Sequence, residues 1–389
     1  VIRWREGVVV GEQARWGDAV EVQVRLRAGS TAAPVPQGAA QGVAPEGEVV
    51  RALAYASVTG VPAAGDRVLL NTNALDNELG TGGVAMVVAL PDRLPSDDES
   101  TAAHPEGTGH LVKARYTPLQ TMVFGVDEQD SPHHSTLTDA DDLAGMPVVA
   151  ADLHSSLPAV LAGLRVDTPE ARVAYLMTDG GALPVAFSRA CAALRESGWL
   201  EAVISCGQAY GGDLEAVNTF SGLLAARHVV GADVVVVAQG PGNLGTGTTW
   251  GFSGVSAGEA LNAAALLQGR AIATLRVSGA DPRQRHRGIS HHSRTAYGRV
   301  LNRSADVPVP DLGGHPGMDP GLAQQVARQA EELFAAAPHL VRHDIDLAGM
   351  GAALAATPVR LSTMGRGVRE DPAAFLAAAA AGRHAASLL

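Results

Sequence analysis

From Pro147 onward the chain alternates short, wholly apolar runs with stretches of helical spacing, and this alternation limits the fold more than any other feature. Runs at 147–151, 171–177, 201–206, 232–238, 270–276 and 306–310 are rich in Val, Ile, Leu and Ala. Strands that read this way are buried on both faces, which requires a mostly parallel sheet covered by helices. The helices between them have legible ends. Asp213 is expected to cap one with an apolar face at Leu214, Val217 and Leu224, and Ser256 with Glu259 forms the pattern of a capping box ahead of a stop at Gly269. Asp319-Pro320 and Asp371-Pro372 place a cap and a first-turn proline at two later helices.

The first 90 or so residues carry a different period. Val20, Val22, Val24 and Leu26 alternate with polar residues, as in a half-buried strand, and similar runs recur at 6–11, 49–55, 66–72 and 83–90. Five short strands imply a small all-β barrel over residues 1–91. Residues 28–47, rich in Ala, Gly and Pro, read as a long mobile loop within it, and 92–108, with Asp97-Asp98-Glu99, as an acidic linker. The α/β domain is then expected over 109–389. Its first piece, 109–126, reads as a connecting pair of strands that brings Lys113 and Arg115 onto one face.

A formal charge of −11 argues against nonspecific binding to nucleic acid or to an anionic membrane. No stretch approaches 18 uninterrupted apolar residues, and Val-Ile-Arg-Trp-Arg-Glu at the start is not the apolar run of a signal peptide, so the expected location is the cytoplasm. The two cysteines, Cys191 and Cys206, make neither a disulfide framework nor a close metal pair. Cys206, at a strand end, is either a nucleophile or an inert buried thiol. Apolar content permits a homo-oligomer without identifying its interface.

In an open parallel sheet the ligand lies beyond the carboxyl ends of the strands. The loops there read Asp152-Leu-His154-Ser-Ser, Thr178-Asp179-Gly180-Gly181, Cys206-Gly-Gln-Ala-Tyr-Gly211-Gly212-Asp213, and Gln239-Gly240-Pro-Gly242-Asn243-Leu-Gly245-Thr246. Glycine lets backbone amides approach an anion, but it also serves plain tight turns, and both readings stand. Gly240, Gly242 and Gly245 match G-x-G-x-x-G, yet no helix opens at the third glycine, and Arg276 stands where the ribose-binding acid belongs. A dinucleotide is therefore not expected, and no P-loop motif is present.

Of 29 basic residues, Lys113 is the one lysine. Either arginine bias left it by chance, or it stays because only lysine can give up its proton; Arg115 beside it would lower its pKa. The segment from Arg283 through Arg285, His286 and Arg287 to Ser290-His291-His292 and Arg294 concentrates four arginines and three histidines, which suits a phosphate or carboxylate or else a solvated loop. His291 and His292 diverge by about 100 degrees on a helix, so both are not expected on one metal. A divalent metal could instead gather His154, Asp179, Asp213 and one of those two histidines. His133-His134 is a similarly ambiguous pair.

The segments Gly109–Gln120, Glu128–Pro132, Leu176–Pro184, Gly240–Gly247 and Gly288–His292, in this order, resemble a bacterial family of unknown function, number 3866 of the domain-of-unknown-function series. The resemblance runs to about residue 310 and implies no activity. The residues themselves point to an enzyme of hydrolase or transferase type acting on a small phosphorylated or carboxylated metabolite. Lys113, Arg115, Arg276 and the arginines of 283–287 would hold the anion, with Asp179 or Asp213 and His291 or His292 as acid and base. The alternative is a non-catalytic metabolite-binding or scaffold protein using the same loops.

Overall fold

A computed structural model describes residues 2–27, 47–77, 82–94, 109–315 and 317–389. The expected loop over 28–47 lies outside these residues save its last position, and the linker over 92–108 save its first three. Two compact units divide between Phe124 and Gly125, so residues 109–124 count with the first unit and not with the α/β domain.

The first unit holds β1 (Trp4–Trp16), β2 (Ala19–Leu26), β3 (Val49–Tyr55), β4 (Arg67–Asn71) and β5 (Ala85–Ala89), closed in the order β1-β2-β3-β5-β4. Every pairing is antiparallel except β3 with β5. The alternating valines of β2 line its interior against Val50, Val68 and Leu70. Register shifts after Val9 and Glu12 bend the long first strand around the barrel. This order is that of an OB barrel, but strand order alone carries no ligand. Three of its outer arginines pair with carboxylates: Arg15 with Glu12, Arg51 with Glu21, and Arg67 with Glu6 and Asp92. The same unit contains the hairpin β6 (Leu111–Lys113) and β7 (Thr121–Val123).

The second unit is one eight-stranded parallel sheet. In chain order its strands are β8 (Pro147–Ala150), β9 (Val173–Thr178), β10 (Ala202–Cys206), β11 (Leu214–Ala216), β12 (Val234–Gln239) and β13 (Arg270–Ala273). A two-stranded ribbon follows, β14 (Val277–Ser278) with β15 (Gly288–Ile289), and then β16 (Ala305–Pro310) and β17 (Leu340–Ile345). The sheet order is β11-β10-β9-β12-β8-β13-β16-β17. All six strands read from the apolar runs are present, and β8, β9, β10, β12 and β16 are buried at every residue.

Three local expectations differ. Asp371 makes no side-chain cap for the helix Pro372–Ala386, because its carboxylate accepts from Ser278 Oγ and Gly279 N–H instead. Residues 214–216 form the edge strand β11 and not a helix start; the helix begins at Thr219, capped by Asn218, whose side chain accepts from Phe220 and Ser221 N–H. Asn218 completes the cap two residues after the strand, where Asp213 is too early. Ser256 opens the helix Ser256–Leu266 without a side-chain cap; its hydroxyl donates back to Ser253 O.

The connection leaving β8 runs through helix Leu157–Asp167 toward β9, and the one leaving β12 runs through helix Ser256–Leu266 to β13 on the other side of β8. Right-handed crossovers in opposite directions set those helices on opposite faces. The alanine-rich helix Pro372–Ala386 packs on Leu157–Asp167, nearly every residue of it buried. This contact is backbone to backbone: a Cβ on Gly163 would strike Ala379 O, and one on Gly382 would strike Val160 O. Gly163→Ala is expected to destabilise the protein by about 1–3 kcal/mol through overpacking. Gly351→Ala, on a short helix with open space around it, should be neutral or stabilising by up to about 1 kcal/mol. Denaturant unfolding of both variants measures the contrast.

Candidate functional site

Adjacent strands β8 and β13 send their chains in opposite directions, β8 toward β9 and β13 toward β16. The gap beyond their carboxyl ends is the topological switch point at which sheets of this kind hold ligands. Three segments meet there: Asp152 just after β8, Arg276 just after β13, and the helix His291–Thr295 that follows β15.

Asp152 is 3% exposed and carries the charge pairing of the site. Its Oδ2 lies 3.4 Å from Arg276 Nη1 and 3.1 Å from His292 Nδ1. Arg276 Nη1 also sits 3.0 Å from that ring nitrogen. A carboxylate only accepts and a guanidinium only donates, so a proton on Nδ1 serves Asp152 and leaves Arg276 to pair with the carboxylate, whereas a bare Nδ1 accepts from Arg276. Burial pushes the Asp152 carboxyl up, but the hydrogen bond from His292 and the Arg276 charge outweigh it and hold the group below the usual range. Gln239 Nε2 donates to Asp152 O at 2.9 Å and to Asn243 Oδ1 at 3.1 Å, tying the loop after β12 to the loop after β8.

Two further histidines complete the cluster. Ser290, fully buried, caps the helix by accepting from His292 N–H at 3.2 Å, and its hydroxyl meets His286 Nδ1 at 2.7 Å. The rings of His286, His291 and His292 have centroids 4.5–5.0 Å apart, and Phe252 stacks on His292 at 3.8 Å, tilted 7°. The divergence expected for adjacent helical histidines is thus overcome. The pair sits in the first turn, where both rings reach toward His286 on the preceding loop. Burial and neighbouring positive charge lower His286 to about 3 and His291 to about 4, so both are neutral at physiological pH.

The other residues singled out by sequence have surroundings of their own. Lys113 is 1% exposed and engaged by its surroundings in the first unit, while Arg115 is exposed. They do not share a strand face, because β6 ends at Lys113 and Ala114 turns with φ 47°. His154 spends both ring nitrogens, on Tyr175 Oη at 2.9 Å and Ser188 Oγ at 2.7 Å, and burial lowers it to about 4. Asp179 is exposed and accepts from Gln208 N–H. Asp213 lies beside the start of β10, bonded to Val203 N–H and Arg195, at the amino edge of the sheet and away from its carboxyl edge.

Most loop glycines serve packing. A Cβ on Gly180 would strike Gln239, one on Gly181 would strike Gly240 O, and one on Gly240 would strike Ala182 O, so the loops after β9 and β12 lie backbone on backbone. The amides of Gly211 and Gly212 go to Glu215 and Ser205. Gly245 bridges to Phe252, Thr246 N–H bonds Gly251 O, and only Gly242, with φ 96°, keeps open space around it. Among the arginines, Arg283 is bidentate on Asp281 and Arg287 reaches Gly279 O, whereas Arg285 makes no ion pair among the described residues and lies beside Gly247. On the far side of Arg276 a narrow cleft is lined by Leu153, Ser156, Ser278, Thr363 and Arg366. Arg366 is held there by Asp281 and Asp371.

Two members of the cluster, Asp152 and Phe252, were not singled out from sequence, and His286 was named only as part of the segment 283–294. Asp152 had a usable signal, being the polar residue that directly follows a central strand beside the switch point.

The chain belongs to the family described as "Protein of unknown function (DUF3866)", whose model matches residues 51–382. The match extends past residue 310, where the resemblance seen in the sequence stopped. No curated protein matches the chain. Among the described residues no helix is long and apolar enough to cross a membrane.

A second charged cluster sits at the amino edge of the sheet. Asp306, buried at the start of β16, accepts from Arg270 Nε at 2.7 Å and pairs with His384 Nε2 at 2.9 Å, and His343 Nε2 lies 3.1 Å away without hydrogen-bond geometry. Burial opposes its ionisation, but the hydrogen bonds from His384 and Arg270 hold its carboxyl well below the usual range. A folded-state pKa below the unfolded one stabilises the protein above about pH 4, and that stabilisation is lost as the pH falls further. Asp306→Asn should therefore cost roughly 1.5–3 kcal/mol near neutrality, with the gap closing between about pH 4 and pH 2. Thermal unfolding across that range checks the sign.

Proposed function

We propose that this protein is an enzyme of hydrolase or transferase type that acts on a small phosphorylated or carboxylated metabolite at the switch point between β8 and β13. The observation that carries the reading is the buried Asp152–His292–Arg276 group with two neutral histidines beside it. Burying this much ionisable chemistry costs stability that apolar packing would not. Asp152 orients His292, and His291 and His292 face the reacting bond. Arg285, exposed and without a carboxylate partner among the described residues, holds the anionic group. In a hydrolysis the water oxygen bonds the phosphoryl or acyl centre, the ester bond breaks, and the water proton ends on the departing oxygen. Lys113, Asp179 and Asp213 have no part in this proposal, because their surroundings account for them.

A scaffold would spend its polar groups on helix caps and solvent. Asp213, Asp319 and Ser290 do cap backbone groups, but the buried histidine cluster does not fit that pattern.

The test is a thermal-shift screen of the protein against phosphate esters, dicarboxylates and nucleotides, with Arg285→Gln in parallel. A ligand present at about 100 times its Kd stabilises by about 2.7 kcal/mol. One anionic class should raise the wild-type Tm and leave Arg285→Gln unmoved. Equal shifts in both proteins, or no shift with any class, would contradict the reading.

A further inference from the structure

We infer that His286, His291 and His292 form a binding site for one divalent transition-metal ion of the zinc or cobalt type. The inference rests on the reading above for where the substrate lies, and it specifies what the histidines do there.

Three observations carry it. One ring nitrogen from each of the three residues lies within 4.8 Å of the other two. The Nε2 of His291 is buried and has no hydrogen-bond partner among the described residues. A buried polar nitrogen left unpaired costs about 1–3 kcal/mol, and a metal ion is one of the few partners that satisfies a bare imidazole lone pair. Finally, the other two rings are already fixed through Nδ1, His292 by Asp152 and His286 by Ser290, and among the described residues neither makes a hydrogen bond through Nε2. A ligating histidine usually has its second nitrogen held by a carboxylate or a hydrogen-bonding oxygen in this way, which fixes the tautomer and turns the free nitrogen to the ion.

The donor set selects the ion. Three imidazoles with a further position open suit zinc and its cobalt substitute, whereas magnesium and calcium require oxygen ligands. Metal–nitrogen bonds of about 2.0–2.1 Å in a tetrahedron put the nitrogens roughly 3.3 Å apart, so the rings close by up to about 1.5 Å on binding. Half-exposed His291 has the freedom to make that move. Asp152 supplies the negative charge that offsets the ion beside Arg276. A bound ion would polarise a water or a substrate oxygen at the open position.

The experiment uses the full chain, stripped of metal with chelator and then titrated with Co²⁺ and with Zn²⁺, reading visible absorption and bound metal per chain. The expected result is one ion per chain with a tetrahedral cobalt band. His291→Phe keeps the ring against Phe252 and breaks no hydrogen bond among the described residues. It should weaken binding at least about 100-fold, more than the loss of an outer-shell partner, and His286→Gln should do the same if His291→Phe proves unstable. His343→Ala, at the amino-edge cluster, should bind as wild type does. No cobalt or zinc binding, binding unchanged in His291→Phe and His286→Gln, or binding lost only in His343→Ala would each overturn the assignment. Occupancy is read without substrate, so failure here is separate from failure of the anion screen.

Discussion

The buried pair of Asp152 and Arg276 is the constraint on which the rest of the site depends. Each charge is expensive to bury alone, and each lies on a different loop, one after β8 and one after β13. Their contact joins the two chain directions that part at the switch point. Once Asp152 is fixed, His292 has one favourable tautomer and orientation, and the helix that carries it sets His291 beside His286. Gln239 brings the loop after β12 to the same carboxylate's backbone, and Phe252 from that loop closes over His292.

That arrangement needs a sheet able to hold two loops still. Strands buried on both faces leave little freedom at their ends, and on one face the helices Leu157–Asp167 and Pro372–Ala386 are locked together by close backbone contact, Gly163 with Ala379 and Gly382 with Val160. The amino edge has its own charged lock, Asp306 with Arg270 and His384. Opposite edges of one sheet thus carry two different clusters: one anchors strands β13 and β16 to the last helix, and the other gathers groups suited to chemistry.

Much of the fold was legible because burial on both faces and alternation leave direct marks in the sequence. The barrel valines of β2 and the apolar runs of β8 through β16 are such marks. Strand β17, Leu-Val-Arg-His-Asp-Ile, was missed because an edge strand half open to solvent lacks a continuous apolar run. The three-residue strand β11 was read as helix because its apolar residues also fit a helical face. The site was less legible. His291, His292 and Arg276, which the fold brings together, were readable as candidates from their place after strands. Asp152 was not singled out, His286 was named only within the arginine- and histidine-rich segment, and the rarity that draws attention to Lys113 carries no information about its burial. Which glycines serve packing and which stay open depends on loop-to-loop contact, which spacing along the chain does not encode.

The most direct test of the central claim is a double-mutant cycle on the Asp152–Arg276 pair, comparing the unfolding free energies of wild type, Asp152→Asn, Arg276→Gln and the double variant. A buried pair that organises the site predicts a coupling above about 1.5 kcal/mol, because removing either partner strands the other. Effects that add to within about 0.5 kcal/mol would contradict the account.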